Sequence, residues 1–195
     1  MRYVALGDSY TIGTGVQPAE RWPEQLAARL PTLDIVASPA LNGVTSADVI
    51  ARQLPILRAA EAEIASLLIG VNDVVQGVLE PAYAANVATI LDDLCRGERP
   101  LRVFAVATPD YTVTPSGADY GDPAIRSAAI ERFNAVMRAA CTERSVPFVA
   151  GTHEVSRMAA DTDSMVAADG LHPSGAQYAR WVDLISPVVE RLLAG

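Results

Sequence analysis

Residues 2–15 read RYVALGDSYTIGTG. Tyr3 to Leu6 is a run of consecutive apolar residues, the pattern of a strand buried on both faces. The run stops abruptly at Gly7-Asp8-Ser9, and glycine returns at positions 13 and 15. A buried strand that ends in a glycine, an acid and a serine admits three readings. It is a plain turn, a cradle for phosphate, or the seat of a nucleophile.

Working outward, the same kind of apolar run recurs at Asp34–Ala37, Ala65–Ile69, Arg102–Ala107 and Pro147–Val149. Helical patterns lie between the runs. One spans Arg21 to Leu30. The next starts at Ser46, a residue type suited to an N-cap, and Pro55 is expected to kink or split it. A third has Pro81 at its start and Gly97 at its end. A fourth follows Asp122, and the last runs from Ser174 to Leu193 with apolar residues at Tyr178, Trp181, Val182 and Ile185. Between Thr108 and Asp122 lies a long loop without a clear element, a length that signals function or mobility. Strands that alternate with helices imply βαβ units, right-handed crossovers and an open parallel sheet covered on both faces. The 195 residues suit one domain over 1–195, with one sizeable core. Sites in such sheets lie at the C-terminal ends of the strands.

Composition narrows the function. The net charge is −8, so the basic face that a nucleic acid needs is missing. No apolar run is long enough to span a bilayer, so no stable membrane insertion is expected. No secretory leader is visible before the first strand, and a cytoplasmic protein is expected. All 15 basic residues are arginines, which reads as a bacterial genome-composition bias and excludes lysine chemistry. Cys95 and Cys141 fall in predicted helices and read as reduced, buried thiols.

The strand exits carry the chemistry. Gly7-Asp8-Ser9-Tyr10 follows the first strand. Asn42-Gly43-Val44-Thr45-Ser46 precedes the second helical pattern, Gly70-Val71-Asn72-Asp73 follows the third strand, and Asp169-Gly170-Leu171-His172-Pro173 comes late in the chain. Only His153 and His172 can supply an imidazole base. Asp169 stands three residues before His172, so one turn can fold its carboxylate back onto the ring. His153 sits in GTHEVSRM, where the zinc pattern H-E-x-x-H fails because position 157 is arginine. It reads as a loop or helix-start residue. Asp161 to Ser164 lacks the ligand spacing of a cation loop and reads as a solvated loop. A phosphate cradle also fails: G-x-G-x-x-G from Gly13 would need glycine at 18, which is Pro18, and the P-loop lysine is absent. A serine needs an adjacent base and fixed donors for its oxyanion. The Asn72 amide and the Gly43 N–H would serve.

At these residues the chain resembles the SGNH hydrolases, the GDSL family of esterases and lipases. Gly7 to Gly13 resembles the family's first block, with Tyr10 where leucine is usual. Gly43 with Thr45-Ser46 resembles the second block, Gly70 to Asp73 the third, and Asp169 to Pro173 the last. The resemblance implies a three-layer α/β/α, flavodoxin-like fold with a five-stranded parallel sheet. It implies Ser9 as nucleophile, His172 as general base and acid, and Asp169 as the orienting acid. Ser9 N–H, Gly43 N–H and the Asn72 amide would form an oxyanion hole, with Asp8 and Asp73 as supporting residues. The segment Val74 to Pro81 and the loop Thr108 to Asp122 are expected to line the substrate cleft, with Tyr10, Val74, Val75 and Tyr111 suited to an acyl or aryl group. The expected reaction is hydrolysis of a small-molecule carboxylic ester with a small or medium acyl chain, without metal or organic cofactor. A sugar-acetyl esterase, a lysophospholipase or thioesterase, and a catalytically silent binding domain are the alternatives.

Overall fold

The computed structural model describes residues 1–96 and 100–194. Five strands form one sheet: β1 (Arg2–Gly7), β2 (Asp34–Ala37), β3 (Ile64–Leu68), β4 (Arg102–Val106) and β5 (Phe148–Val149). The order is β2-β1-β3-β4-β5, and every pairing is parallel. This is the doubly wound, flavodoxin-like order. β1 and β3 are buried almost throughout, which accounts for apolar residues at consecutive positions. Each strand lies within a residue or two of the run that announces it.

The helices are α1 (Ser9–Ile12), α2 (Trp22–Arg29), α3 (Ser46–Asp48), α4 (Leu54–Ala59), α5 (Val71–Val75), α6 (Glu80–Arg96), α7 (Pro123–Glu143), α8 (Gly151–Arg157) and α9 (Gly175–Ala194). α2 packs on α9, and α9 also packs on α8. α6 packs against α7 and α3. Right-handed crossovers require this division, because the chain moves one way from β1 to β2 and the other way afterwards. The two tryptophans, Trp22 on α2 and Trp181 on α9, are fully buried. Trp22 meets Phe104 of β4 edge-on at 6.4 Å, and Tyr83 of α6 stacks on Phe133 of α7 at 4.4 Å. Full burial of one such side chain contributes roughly 1.5–3 kcal/mol.

Local expectations fare unevenly. Asp122 caps α7 by accepting from Ile125 N–H at 3.0 Å. Ser46 is not an N-cap: Thr45 holds that place, its N–H bonded to the Asp48 carboxylate at 2.9 Å, and the Ser46 hydroxyl is drawn to Asp73 instead. The helix does split before Pro55, through a π turn over Val49–Gln53 that leads into α4. Gly97, the expected end of the third helical pattern, lies outside the described residues. Both cysteines are free, on α6 and α7; Cys141 is buried, whereas Cys95 is only half-buried. The stretch 108–122 is more ordered than its sequence suggests. It holds two short 3₁₀ turns, Tyr111–Val113 and Gly117–Tyr120. The buried Asp110 carboxylate accepts from Thr112 N–H at 3.1 Å, the Thr112 hydroxyl at 2.6 Å and the Ser127 hydroxyl at 2.7 Å. Among the described residues, no helix is long and apolar enough to cross a membrane.

The exit of β1 is tightly packed. Gly7 has φ +156°, and a Cβ there would collide with the Thr11 hydroxyl and lie 2.5 Å from the Leu68 carbonyl oxygen. Gly7→Ala is therefore expected to destabilise the fold by about 2–4 kcal/mol. Urea unfolding measures this, and a loss under 1 kcal/mol would contradict the packing described.

Candidate active site

The first strand delivers Ser9. Asp8 caps α1, its Oδ1 accepting from Tyr10 N–H at 3.0 Å, and Ser9 is the helix's first residue. Adjacent side chains leave such a turn in different directions. The Asp8 carboxylate is buried inside the protein, while Ser9 lines a pocket at the sheet edge. Burial pushes the Asp8 carboxyl up to about 7, and the nearby Asp73 charge pushes the same way.

The second segment reaches the same pocket. Gly43 has φ +75° and open space where a Cβ would stand, so the turn is left-handed and unobstructed. Two side-chain amides, one on α5 and one at its C-cap, hold this turn in place. Gln76 Nε2 donates to the Gly43 carbonyl at 2.8 Å, and Asn72 Nδ2 donates to the Val44 carbonyl at 3.0 Å. An amide nitrogen carries two hydrogens, so Asn72 keeps one while the other fixes the amide plane. Thr14 reaches across from the first segment to Asn42 Oδ1 at 2.6 Å.

Beneath Asn72, the Asp73 carboxylate accepts from the Ser46 hydroxyl at 2.5 Å and from Ser46 N–H at 2.9 Å. Asn86 Nδ2 completes the cluster by donating to the Ser46 hydroxyl at 3.0 Å. Burial raises the Asp73 carboxyl above its ordinary range, and the two Ser46 bonds only partly offset this. Asp73 thus ties the segment bearing Gly43 to the one bearing Asn72.

The last segment supplies an imidazole with a carboxylate behind it. Asp169 Oδ1 accepts from Leu171 N–H and His172 N–H, both at 2.9 Å, and Oδ2 lies 2.7 Å from His172 Nδ1. Partial burial raises the Asp169 carboxyl, but these bonds outweigh it and hold the group below its ordinary range. The Tyr10 ring packs against the imidazole, with centroids 5.0 Å apart.

Ser9, Gly43, Asn72 and His172 all line one pocket of about 230 Å³, together with Tyr10, Val75 and Tyr111. Val74 does not. It faces the core, and its carbonyl accepts from Arg126 Nη1 at 2.5 Å, because the short α5 turns position 74 inward. Sequence reading did not single out Asn42, Val71 and Leu171 in the lining, whereas Tyr120 lies in the stretch 108–122 that was expected there. Asn42, Val71 and Leu171 each adjoin a residue already singled out. Gln76 was open to inference from its place four residues, one helical turn, after Asn72. Of the segment 74–81, only Val75 lines this pocket. His153 lies in the first turn of α8, buried, with Nδ1 3.0 Å from the Thr108 carbonyl, and is absent from this pocket. Asp161 to Ser164 is exposed. Among the described residues, no cluster of three His, Cys, Asp or Glu side chains could hold a metal ion.

A hydroxyl, an imidazole backed by a carboxylate, and an amide donor around one apolar pocket suit acyl transfer. That is the chemistry of serine hydrolases. The model of the GDSL-like lipase/acylhydrolase family matches residues 5–180, and the chain belongs to that family. It is a hydrolase of that lipase and acylhydrolase family. Among solved structures, TesA is similar at 22% identity with a TM-score of 0.76, covering 98% of this chain and 99% of that one. A lipase/acylhydrolase from Enterococcus faecalis is similar at 18% identity, covering 97% and 95%, with a TM-score of 0.75. The acetylxylan esterase Axe2 from Geobacillus stearothermophilus is similar at 19%, covering 100% and 94%, with a TM-score of 0.70. These likenesses are of fold. A search of curated proteins finds no match.

The raised Asp8 carboxyl has a measurable consequence. In the unfolded chain the group ionises near pH 4; in the folded protein it keeps its proton to about 7. Between those values folding takes up a proton, so Asp8 makes stability fall as pH rises. Asp8→Asn removes the titration and keeps an acceptor for Tyr10 N–H. The stability of Asp8→Asn relative to wild type should rise from pH 4 to pH 7 and then level off. Urea midpoints measure it; a difference independent of pH would contradict it.

Proposed function

We propose that the protein hydrolyses carboxylic esters with small or medium acyl chains, in two steps through an acyl-enzyme on Ser9. The observation that carries this reading is that His172, with Asp169 against its Nδ1, lines one pocket with Ser9 and Asn72 although the chain separates them widely.

The Asp169 contact to Nδ1 leaves Nε2 of His172 as the working nitrogen. His172 takes the Ser9 proton as the hydroxyl oxygen attacks the ester carbonyl. The resulting oxyanion is received by three donors: Ser9 N–H, Gly43 N–H and the remaining Asn72 Nδ2 hydrogen. Ser9 is the first residue of α1, so its N–H has no acceptor within the helix. His172 then protonates the departing alcohol, and the carbon–oxygen bond to it breaks. Water attacks the acyl-enzyme with the same imidazole as base, which releases the acid and restores Ser9. The reaction proceeds without metal or organic cofactor. Asp8 and Asp73 support the site without reacting.

The size and lining of the pocket support the substrate class. A volume of about 230 Å³ is below the 300–1,000 Å³ of drug-sized ligand sites. Val71, Val75, Tyr111 and Leu171 give it apolar walls. Such walls suit a short hydrocarbon acyl group better than a sugar ring with many hydroxyls. All of the machinery lies within a single domain, residues 1–195.

Ser9→Ala is expected to lower turnover by on the order of 10⁶-fold, and Asn72→Ala by roughly 10²–10³-fold. The test is a series of p-nitrophenyl esters of increasing acyl length, run beside acetylated sugars and both variants. Optimal kcat/KM should fall at short or medium chains. Near wild-type activity in Ser9→Ala sinks the mechanism, and a preference for acetylated sugars sinks the substrate class.

A further inference from the structure

We propose that Gln53 is a positioning residue for the reaction, its side-chain amide standing in for a missing strand at the exit of β1 and so fixing the place of Ser9. The inference rests on the reading of Ser9 given above.

β2 pairs with β1 only as far as Val4, opposite Ala37. β3 continues alongside β1 to Gly7, opposite Leu68. The backbone groups of Gly7 point to the other side, since odd-numbered residues of β1 face β2: the Met1 carbonyl accepts from Asp34 N–H, whereas the Arg2 carbonyl accepts from Glu63 N–H. At Gly7 that side has no strand left. Gln53 fills the gap with a two-point clasp. Its Nε2 donates to the Gly7 carbonyl at 2.7 Å, and its Oε1 accepts from Gly7 N–H at 2.9 Å. Gln53 itself is buried, with 1% of its surface exposed.

The π turn explains how a glutamine comes to be there. It ends at Gln53, and the extra residue in the turn lets Val49, Gln53, Leu54 and Leu57 all face inward. Gly7 is two residues from Ser9 and is fixed on its other side by β3. Without the clasp, two buried backbone groups lose their partners and the turn carrying Ser9 loses its anchor. Gln53 does not line the pocket. Its removal should therefore misplace the nucleophile and its N–H and leave substrate binding intact. A displacement of about 1 Å at a reacting centre can cost on the order of 10²-fold.

The test uses Gln53→Met, which keeps the volume without the hydrogen bonds, and Gln53→Glu, which can still accept from Gly7 N–H. kcat and KM for a short-chain ester are measured per site titrated to completion with a fluorophosphonate, so that loss of folded protein does not count. Gln53→Met should lower kcat about 10- to 100-fold with KM within about two-fold, and should slow phosphonylation by a similar factor. Gln53→Glu should recover part of kcat. If Gln53→Met does not fold, Gln53→Glu alone carries the comparison, with a kcat deficit of more than two-fold expected at unchanged KM. Values of kcat within two-fold of wild type in the folded variants overturn the proposal. Ser9→Ala, run in parallel, separates the two claims. An active Ser9→Ala defeats the reading of the site, whereas an inactive Ser9→Ala beside fully active Gln53 variants defeats only this inference.

Discussion

A buried parallel sheet must satisfy its backbone where its strands leave it. Inside the sheet, neighbours provide hydrogen bonds; at the C-terminal edge the strands end at different heights, and each unpaired N–H or C=O shielded from water carries a cost. Here side chains take the place of the missing strands. Gln53 clasps Gly7 at the end of β1. Asn134 does the same at the end of β4, accepting from Thr108 N–H at 2.8 Å and donating to the Thr108 carbonyl at 2.9 Å. At the end of β3, the Ile69 carbonyl accepts from the Tyr83 hydroxyl at 2.9 Å and the Thr108 hydroxyl at 3.2 Å. The edge on which the pocket opens is thus a frame of fixed polar groups.

Function is built on that frame by bringing distant parts of the chain together. Ser9 comes from the first strand, while Asp169 and His172 come from the turn before the last helix. α2 and α9 join these parts, as the helices that follow the first and last segments pack on each other across one face of the sheet. At the edge itself, the Tyr10 ring meets the His172 ring. The Gly43 and Asn72 segments are tied to each other by Asp73 and Ser46, and by the side-chain amides of Asn72 and Gln76. Gly43, Asn72 and His172, the donors and base of the proposed mechanism, are therefore each held by a group that does not line the pocket. Such preorganisation lets hydrogen-bond donors act on developing charge without rearranging.

The strands and their polar exits were legible in the sequence because burial on both faces leaves an unmistakable mark: apolar residues at consecutive positions, then an abrupt polar stop. The Asp169–His172 pair was legible because its geometry is local, within one turn. What failed depended on register or on contacts across the fold. Ser46 looks like a cap, but its hydroxyl serves Asp73, which lies on another element. Val74 looks like a cleft residue until the phase of a five-residue helix turns it inward. Gln53 lies in an unremarkable helical stretch, and its partner Gly7 is 46 residues away in the sequence. The stretch 108–122 reaches the pocket as expected, through Tyr111 and Tyr120, but its order, which comes from Asp110 and Ser127, is announced by no local pattern.

The claim at the centre of this account is that Ser9, held at the end of β1 and served by His172, is the group that takes up the acyl chain. Labelling with a fluorophosphonate, followed by proteolysis and mass spectrometry of the peptides, tests it most directly. The account predicts one adduct per chain, on Ser9, lost in His172→Ala as well as in Ser9→Ala. An adduct on another residue, or no adduct in a protein that still cleaves esters, would contradict it.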